Sequence, residues 1–141
     1  MGRYMIDTNI LYFIIEDEDD RLTKDVKALV SDYENKLFVS IESIKELVVA
    51  HRSKKLLEHK WKTTNELVKA LREDYNFVIL PIDINVIHTM ARLQINEAEN
   101  HNDPSDHIII AHAITMKMPL ISSDRKFPFY REQGLDLVSN F

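Results

Sequence analysis

The hydrophobic positions along this chain switch repeatedly between strand-like runs and helical spacing. Arg3 to Ile6 is a short run of strand length, and Thr8 to Ile15 continues as a helix with Asp7 or Thr8 at its cap. Leu22 to Tyr33 reads as a second helix and Leu37 to Val39 as a second short strand. Ser40 caps a long helix reaching Glu58, another helix spans Thr63 to Tyr75, and Phe77 to Leu80 is a third strand. Asp83 caps a helix running towards Ala98. Pro104, suited to a first helical turn, opens the helix Ser105 to Lys117, while Pro119 to Ser122 and Leu135 to Val138 are the last two strands.

Strands separated by helices cannot pair as hairpins, so the pattern predicts an α/β fold of three layers, α/β/α, in which a short parallel sheet is flanked by helices. The helix after Pro104 carries Ile108, Ile109, Ile110, Ala111, Ala113, Ile114 and Met116, apolar around nearly its whole circumference, and is expected to be central. With 141 residues and no repeat, linker or low-complexity segment, one domain over 1–141 is expected.

Composition removes several chemistries. The absence of cysteine excludes disulfides, thiolate zinc sites and a cysteine nucleophile, and the presence of only two glycines, Gly2 and Gly134, excludes glycine-rich phosphate loops. The apolar stretch Tyr4 to Ile15 is interrupted by Asp7 and Asn9 and has no cleavage site behind it, so neither a signal peptide nor a membrane span is expected, and a cytoplasmic location follows. The net charge of −5 is contained in the five acids Glu16 to Asp20; the remainder is balanced. That run reads as a solvated loop. Arg52, Lys54, Lys55, Lys60 and Lys62, opposed only by Glu58, read either as a solvated helix end or as a surface for RNA phosphates or an acidic peptide.

Four acids from distant parts of the chain, Asp7, Glu46, Asp106 and Asp124, fall where these elements begin or end. Singly each has an ordinary reading. Asp7 forms an Asx turn, Asp106 sits near a positive helix dipole behind the cap Asp103 and Pro104, and Asp124 occupies a surface turn. Together they belong at the carboxyl ends of parallel strands, where open sheets gather ligands, and carboxylates brought together there repel one another unless a divalent cation lies between them. Glu42 and Glu46 share one flank of their helix, and periodicity does not choose between them. Oxygen ligands favour Mg²⁺ or Mn²⁺ over zinc; no His-Glu-x-x-His motif occurs, and the six histidines read as structural or surface residues.

The ordered series resembles the PIN-domain ribonucleases, and among them the VapC-type toxins of toxin–antitoxin pairs. Met5-Ile6-Asp7-Thr8-Asn9 resembles that family's opening strand and acid, and Val39 to Leu47 its second-acid helix, a match that selects Glu46. His101 to Ala111 is similar to a subgroup motif containing H-x-D-P-F-D-R before an apolar helix, with Ser105 in place of the usual aromatic residue and His107 in place of the usual arginine. Pro119 to Phe127 resembles the closing strand and its acid, Asp124.

The resemblance implies a metal-dependent endoribonuclease in which Asp7, Glu46, Asp106 and Asp124 hold Mg²⁺ or Mn²⁺. Hydrolysis would use water activated by the metal, without a protein nucleophile. Thr8, Asn9, Asp103 and Ser123 are candidates for the surrounding layer that orients water or phosphate. The implied partners are an RNA substrate, a cognate antitoxin whose peptide covers the acids, and a second copy of the chain in a homodimer. A housekeeping PIN-type RNA-processing nuclease and a non-catalytic RNA or protein interaction module are the competing readings.

Overall fold

The computed structural model describes residues 1–141. Five short strands, β1 (Arg3–Ile6), β2 (Lys36–Ser40), β3 (Val78–Leu80), β4 (Leu120–Ser122) and β5 (Leu137–Ser139), form one parallel sheet in the order β3-β2-β1-β4-β5. Successive residues on a strand point to opposite faces, and here they divide between two cores. Ile6, Val39 and Ile121 enter one cluster, while their neighbours Met5, Phe38 and Leu120 enter the other. This is the α/β/α arrangement that the alternation of elements predicted.

Helices α1 (Thr8–Ile15), α2 (Lys24–Ser31), α3 (Ile41–Lys54) and α4 (Thr64–Glu73) supply the first core with Ile10, Val26, Leu47 and Leu71 among others. On the opposite face α6 (Pro104–Met116) lays Ile109, Ile110 and Ala113 against the sheet, and α5 (Ile84–Arg92) packs against α6. The cap residues are those expected from side-chain chemistry. Asp7, Ser40, Thr63, Asp83 and Asp103 each accept backbone N–H groups of the helix they precede.

α2 and α4 end two residues before their expected ends, at Ser31 and Glu73, and two other helices stop well short. α3 ends at Lys54 rather than Glu58 because Lys55 turns left-handed (φ 54°, ψ 29°), its N–H returning to the Ala50 carbonyl, and the following turn buries Leu57. α5 ends at Arg92 rather than near Ala98. There the chain is pulled across to a 3₁₀ segment at Phe127–Gln133: Gln94 and Gln133 exchange amide hydrogen bonds, and the Asn96 N–H donates to the Tyr130 hydroxyl. Tertiary hydrogen bonds override the local pattern at that point. No helix is long and apolar enough to cross a membrane. Phe13 is buried, and Tyr12 and Trp61 pack partly buried against the first core.

Candidate metal centre

The order of strands decides where the site forms. β1 is followed in sequence by β2 on one side, but β4 lies on its other side, so the crevice at the carboxyl ends of β1 and β4 is the switch point of the sheet. Asp7 leaves β1 at that point and Asp124 follows β4.

Asp7 is buried and fully engaged. Its N–H donates to the Ile121 carbonyl of β4 (3.1 Å), one carboxylate oxygen accepts the N–H groups of Asn9 (3.1 Å) and Ile10 (3.2 Å), and the other accepts the Ser122 hydroxyl. Burial pushes its carboxyl up from 3.8 to about 7, against the pull of those donors and with a further push from the charge of Asp106. One oxygen thus makes the helix cap expected from the sequence, while the other is held by Ser122.

Ser122, wholly buried, also accepts the Asp124 N–H (3.1 Å), so a single hydroxyl joins the ends of the two central strands to both acids. Ser123, the serine expected nearby, turns the other way and accepts from the Asn140 side chain (2.8 Å). The parallel register pairs Ile6 with Ile121, which puts Ser122 beside Asp7; sequence alone does not carry that register.

Glu42 and Glu46, left undivided by periodicity, have different surroundings. Glu46 is half-buried and accepts the Thr8 hydroxyl (2.6 Å), which also lies 2.9 Å from Ser43 Oγ. Burial holds its carboxyl above the usual range, opposed by the Thr8 hydrogen bond and reinforced by the charges of Asp103, Asp106 and Glu42. Glu42 instead pairs with Lys45 (2.8 Å) and accepts the hydroxyl of Ser105, the residue standing in the aromatic position of the motif.

Asp106, in the first turn of α6, couples electrostatically to Asp7, Glu46 and Asp124. Burial raises its carboxyl; a hydrogen bond from His101 opposes the rise, and Asp103 and Asp124 add to it. Asp124 accepts the Lys126 N–H (2.8 Å). Ligand atoms of His101, Asp106 and Asp124 lie within 4.8 Å of one another. Asn9 contributes only its N–H and is exposed; Asp103, also exposed, caps α6 through the Ser105 N–H (2.9 Å) and acts on the acids by its charge.

Most of the histidines do have structural or surface positions, as expected. His51 bonds with Thr64 and the Trp61 carbonyl, His112 Nδ1 lies 2.9 Å from the Ser40 hydroxyl, and His107 donates to the His101 carbonyl (2.7 Å) from within the core. His101 differs. It is buried and touches Asp106, and its place five residues ahead of that acid is the signal by which it could have been singled out.

No lysine or arginine forms an ion pair with Asp7, Glu46, Asp106 or Asp124. Asp106 and Asp124, with His101, come close enough to share an ion, and Asp7 and Glu46 feel the charge of Asp106; so little internal compensation among oxygen donors suits a hard divalent cation.

The PIN domain family model matches residues 4–132, and the chain belongs to that family. Its fold is similar to chains in the VapBC2 structure of Rickettsia felis bound to a promoter DNA fragment (TM-score 0.72, 19% identity, 97% of this chain and 98% of that one). It is similar also to chains in the VapBC-1 structure of nontypeable Haemophilus influenzae (0.71, 18%, 97% of each chain) and in the DNA-bound VapBC structure of Salmonella typhimurium (0.70, 18%, 100% of each). No curated protein matches the chain by sequence.

Proposed function

We propose that this protein is a Mg²⁺- or Mn²⁺-dependent endoribonuclease, the toxin of a type II toxin–antitoxin pair, working in the cytoplasm as a homodimer. The observation that carries the reading is the uncompensated charge of Asp7, Glu46, Asp106 and Asp124, which would hold the cation. When bound, a divalent cation supplies neutralising charge and lowers the pKa of a water near the phosphodiester. Around it, Ser122 and the first-turn N–H groups of α1 hold Asp7, Thr8 holds Glu46, and the Lys126 N–H holds Asp124, so the carboxylates are oriented before substrate arrives.

A groove lined by Thr8, Tyr12, Lys45, Glu46, Val49, Lys54 and Ser105 adjoins the acids at Thr8 and Glu46. Its two lysines suit RNA phosphates, and its apolar floor suits the antitoxin peptide that would cover the acids. The toxin–antitoxin complexes of similar fold favour a cognate antitoxin over a housekeeping role.

The test is incubation of the purified protein with mixed RNA in Mn²⁺ or Mg²⁺, against EDTA. Cleavage with either metal that EDTA abolishes is expected; RNA left intact in both metals would sink the nuclease reading. A short antitoxin-like reading frame beside the gene, whose product blocks cleavage, supports the toxin assignment, and its absence would redirect it to RNA processing.

A further inference from the structure

A buried polar chain runs into Asp106 from behind. The Tyr130 hydroxyl accepts the N–H of Asn96 (3.1 Å) and lies 2.9 Å from His101 Nδ1, and His101 Nε2 lies 3.0 Å from Asp106 Oδ2. Tyr130 is fully buried and His101 is 2% exposed. The imidazole is enclosed by the rings of His107, Phe127 and Tyr130 at 5.0, 5.6 and 5.5 Å between centroids.

The direction of each bond follows from the number of protons available. An ionised Asp106 only accepts, so His101 Nε2 carries hydrogen. The Tyr130 hydroxyl already accepts from Asn96, and its own proton has one remaining partner, His101 Nδ1, which must therefore be bare. A ring protonated on both nitrogens would leave the tyrosine proton without an acceptor inside the core, at the cost of an unmade buried hydrogen bond. The chain thus reads Asn96 N–H to Tyr130, Tyr130 O–H to His101, and His101 Nε2–H to Asp106. The backbone of His101 is held as well, because its carbonyl accepts from His107 (2.7 Å).

We infer that His101 is a positioning residue for Asp106, holding the carboxylate against the repulsion of its acidic neighbours, and is not itself a metal ligand. A ring nitrogen of His101 lies within 4.8 Å of ligand atoms of Asp106 and Asp124, a spacing that suggests ligation, but both nitrogens are committed to protein partners. Asp106 lies in the first turn of a helix with its side chain 25% exposed, and no other protein donor bonds its carboxylate. Without His101 it would swing towards solvent, away from Asp124. This inference rests on the reading of the four acids as a cation site.

The test is Mn²⁺ titration of the metal-free protein by electron spin resonance, with nitrogen coupling read by spin-echo on the loaded protein. The loss expected when a group behind a metal ligand is removed is ~10–100-fold in affinity, so His101→Ala should weaken Mn²⁺ binding by that factor. His101→Gln, whose amide N–H reaches the place of Nε2, should recover most of it, and Tyr130→Phe should lose less than His101→Ala. Spin-echo spectra of the wild type should lack a directly bound nitrogen; a strong nitrogen coupling that disappears in His101→Gln would make His101 a ligand and overturn the inference. So would a folded His101→Ala protein with wild-type affinity. Should the alanine variant not fold, Tyr130→Phe decides: it should lose affinity and the Nε2–H tautomer, and a Tyr130→Phe protein with wild-type affinity and an unchanged tautomer overturns the inference. A wild type that binds no Mn²⁺ refutes the cation-site reading separately. In that event ¹⁵N spectra at pH 8 still test the chain, with an Nε2–H tautomer lost in Tyr130→Phe expected and an Nδ1–H tautomer in the wild type overturning it.

Discussion

The acidic run Glu16–Asp20 and the carboxylates at the ends of β1 and β4 are both dense in negative charge, but they meet different surroundings. In the run, Glu16 meets His59 (2.6 Å), Asp17 meets Lys60 (2.6 Å) and Glu18 meets Arg21 (3.6 Å). These contacts lie at the surface, where water and salt screen them and each contributes about 0–1 kcal/mol. At the strand ends Asp7 is buried, Glu46 and Asp106 are half-buried, and their carboxyls are all raised. No basic side chain answers them except the imidazole of His101. Charge that is solvated and partly paired at the surface costs the fold little, whereas charge left unpaired in a crevice lowers stability until something from outside neutralises it. The first region is met by solvent and surface bases, and the second is the one proposed to take a cation.

The largest effect should come from neutralising the second region. Asp7→Asn, Glu46→Gln, Asp106→Asn and Asp124→Asn should each lower metal-dependent RNA cleavage by at least ~10-fold, since each removes charge where the transition state requires it balanced. Glu16→Gln and Asp17→Asn should leave the rate unchanged, and so should Glu42→Gln. A loss from Glu42→Gln with none from Glu46→Gln would reverse the assignment of the two glutamates.

The next effect is on stability and pH without metal. Asp7 binds its proton more tightly folded, at about 7, than its ordinary value of 3.8. The folded state therefore holds the extra proton between those values; its stabilisation is complete below the lower one and is lost as pH climbs through the upper one. Thermal melts of the metal-free protein should show a falling midpoint from pH 4 to 7, and Asp7→Asn should flatten that slope. Mn²⁺ at a hundredfold excess over its dissociation constant should restore about 2.7 kcal/mol at higher pH. A metal-free midpoint that rises steadily over the interval would contradict the buried carboxylate.

The smallest effect belongs to the surface run. Asp17→Asn keeps a residue type that tolerates the positive φ of 58° at this position and removes only the exposed pair with Lys60. Denaturant melts should lose less than ~1 kcal/mol at low salt and nothing at ~1 M salt, where exposed charges are screened. A loss that persists in salt would make the contact structural and narrow the difference between the two regions.

Much of this was legible in the chain, because strand and helix periods, cap residues and turn acids are local properties. The alternation of elements, the capping by Asp7, Ser40, Asp83 and Asp103, and the placing of Asp7 and Asp124 just beyond strands all follow from neighbours in sequence. The ends of α3 and α5 were not legible, since a buried Leu57 and the bond from Asn96 to Tyr130 come from outside those helices.

The sequence by itself determined a parallel α/β chain with four separated acids, because hydrophobic period and capping chemistry act over a few residues. Only the tertiary structure decided that Ser122 rather than Ser123 bonds Asp7, that Glu46 faces Thr8 while Glu42 pairs with Lys45, and that His101 stands behind Asp106. It also brought Glu16 and Asp17 to His59 and Lys60. The reason is physical: strand register, the turn of a helix about its axis and the meeting of distant charges are set by how whole elements pack, which no short stretch of sequence encodes.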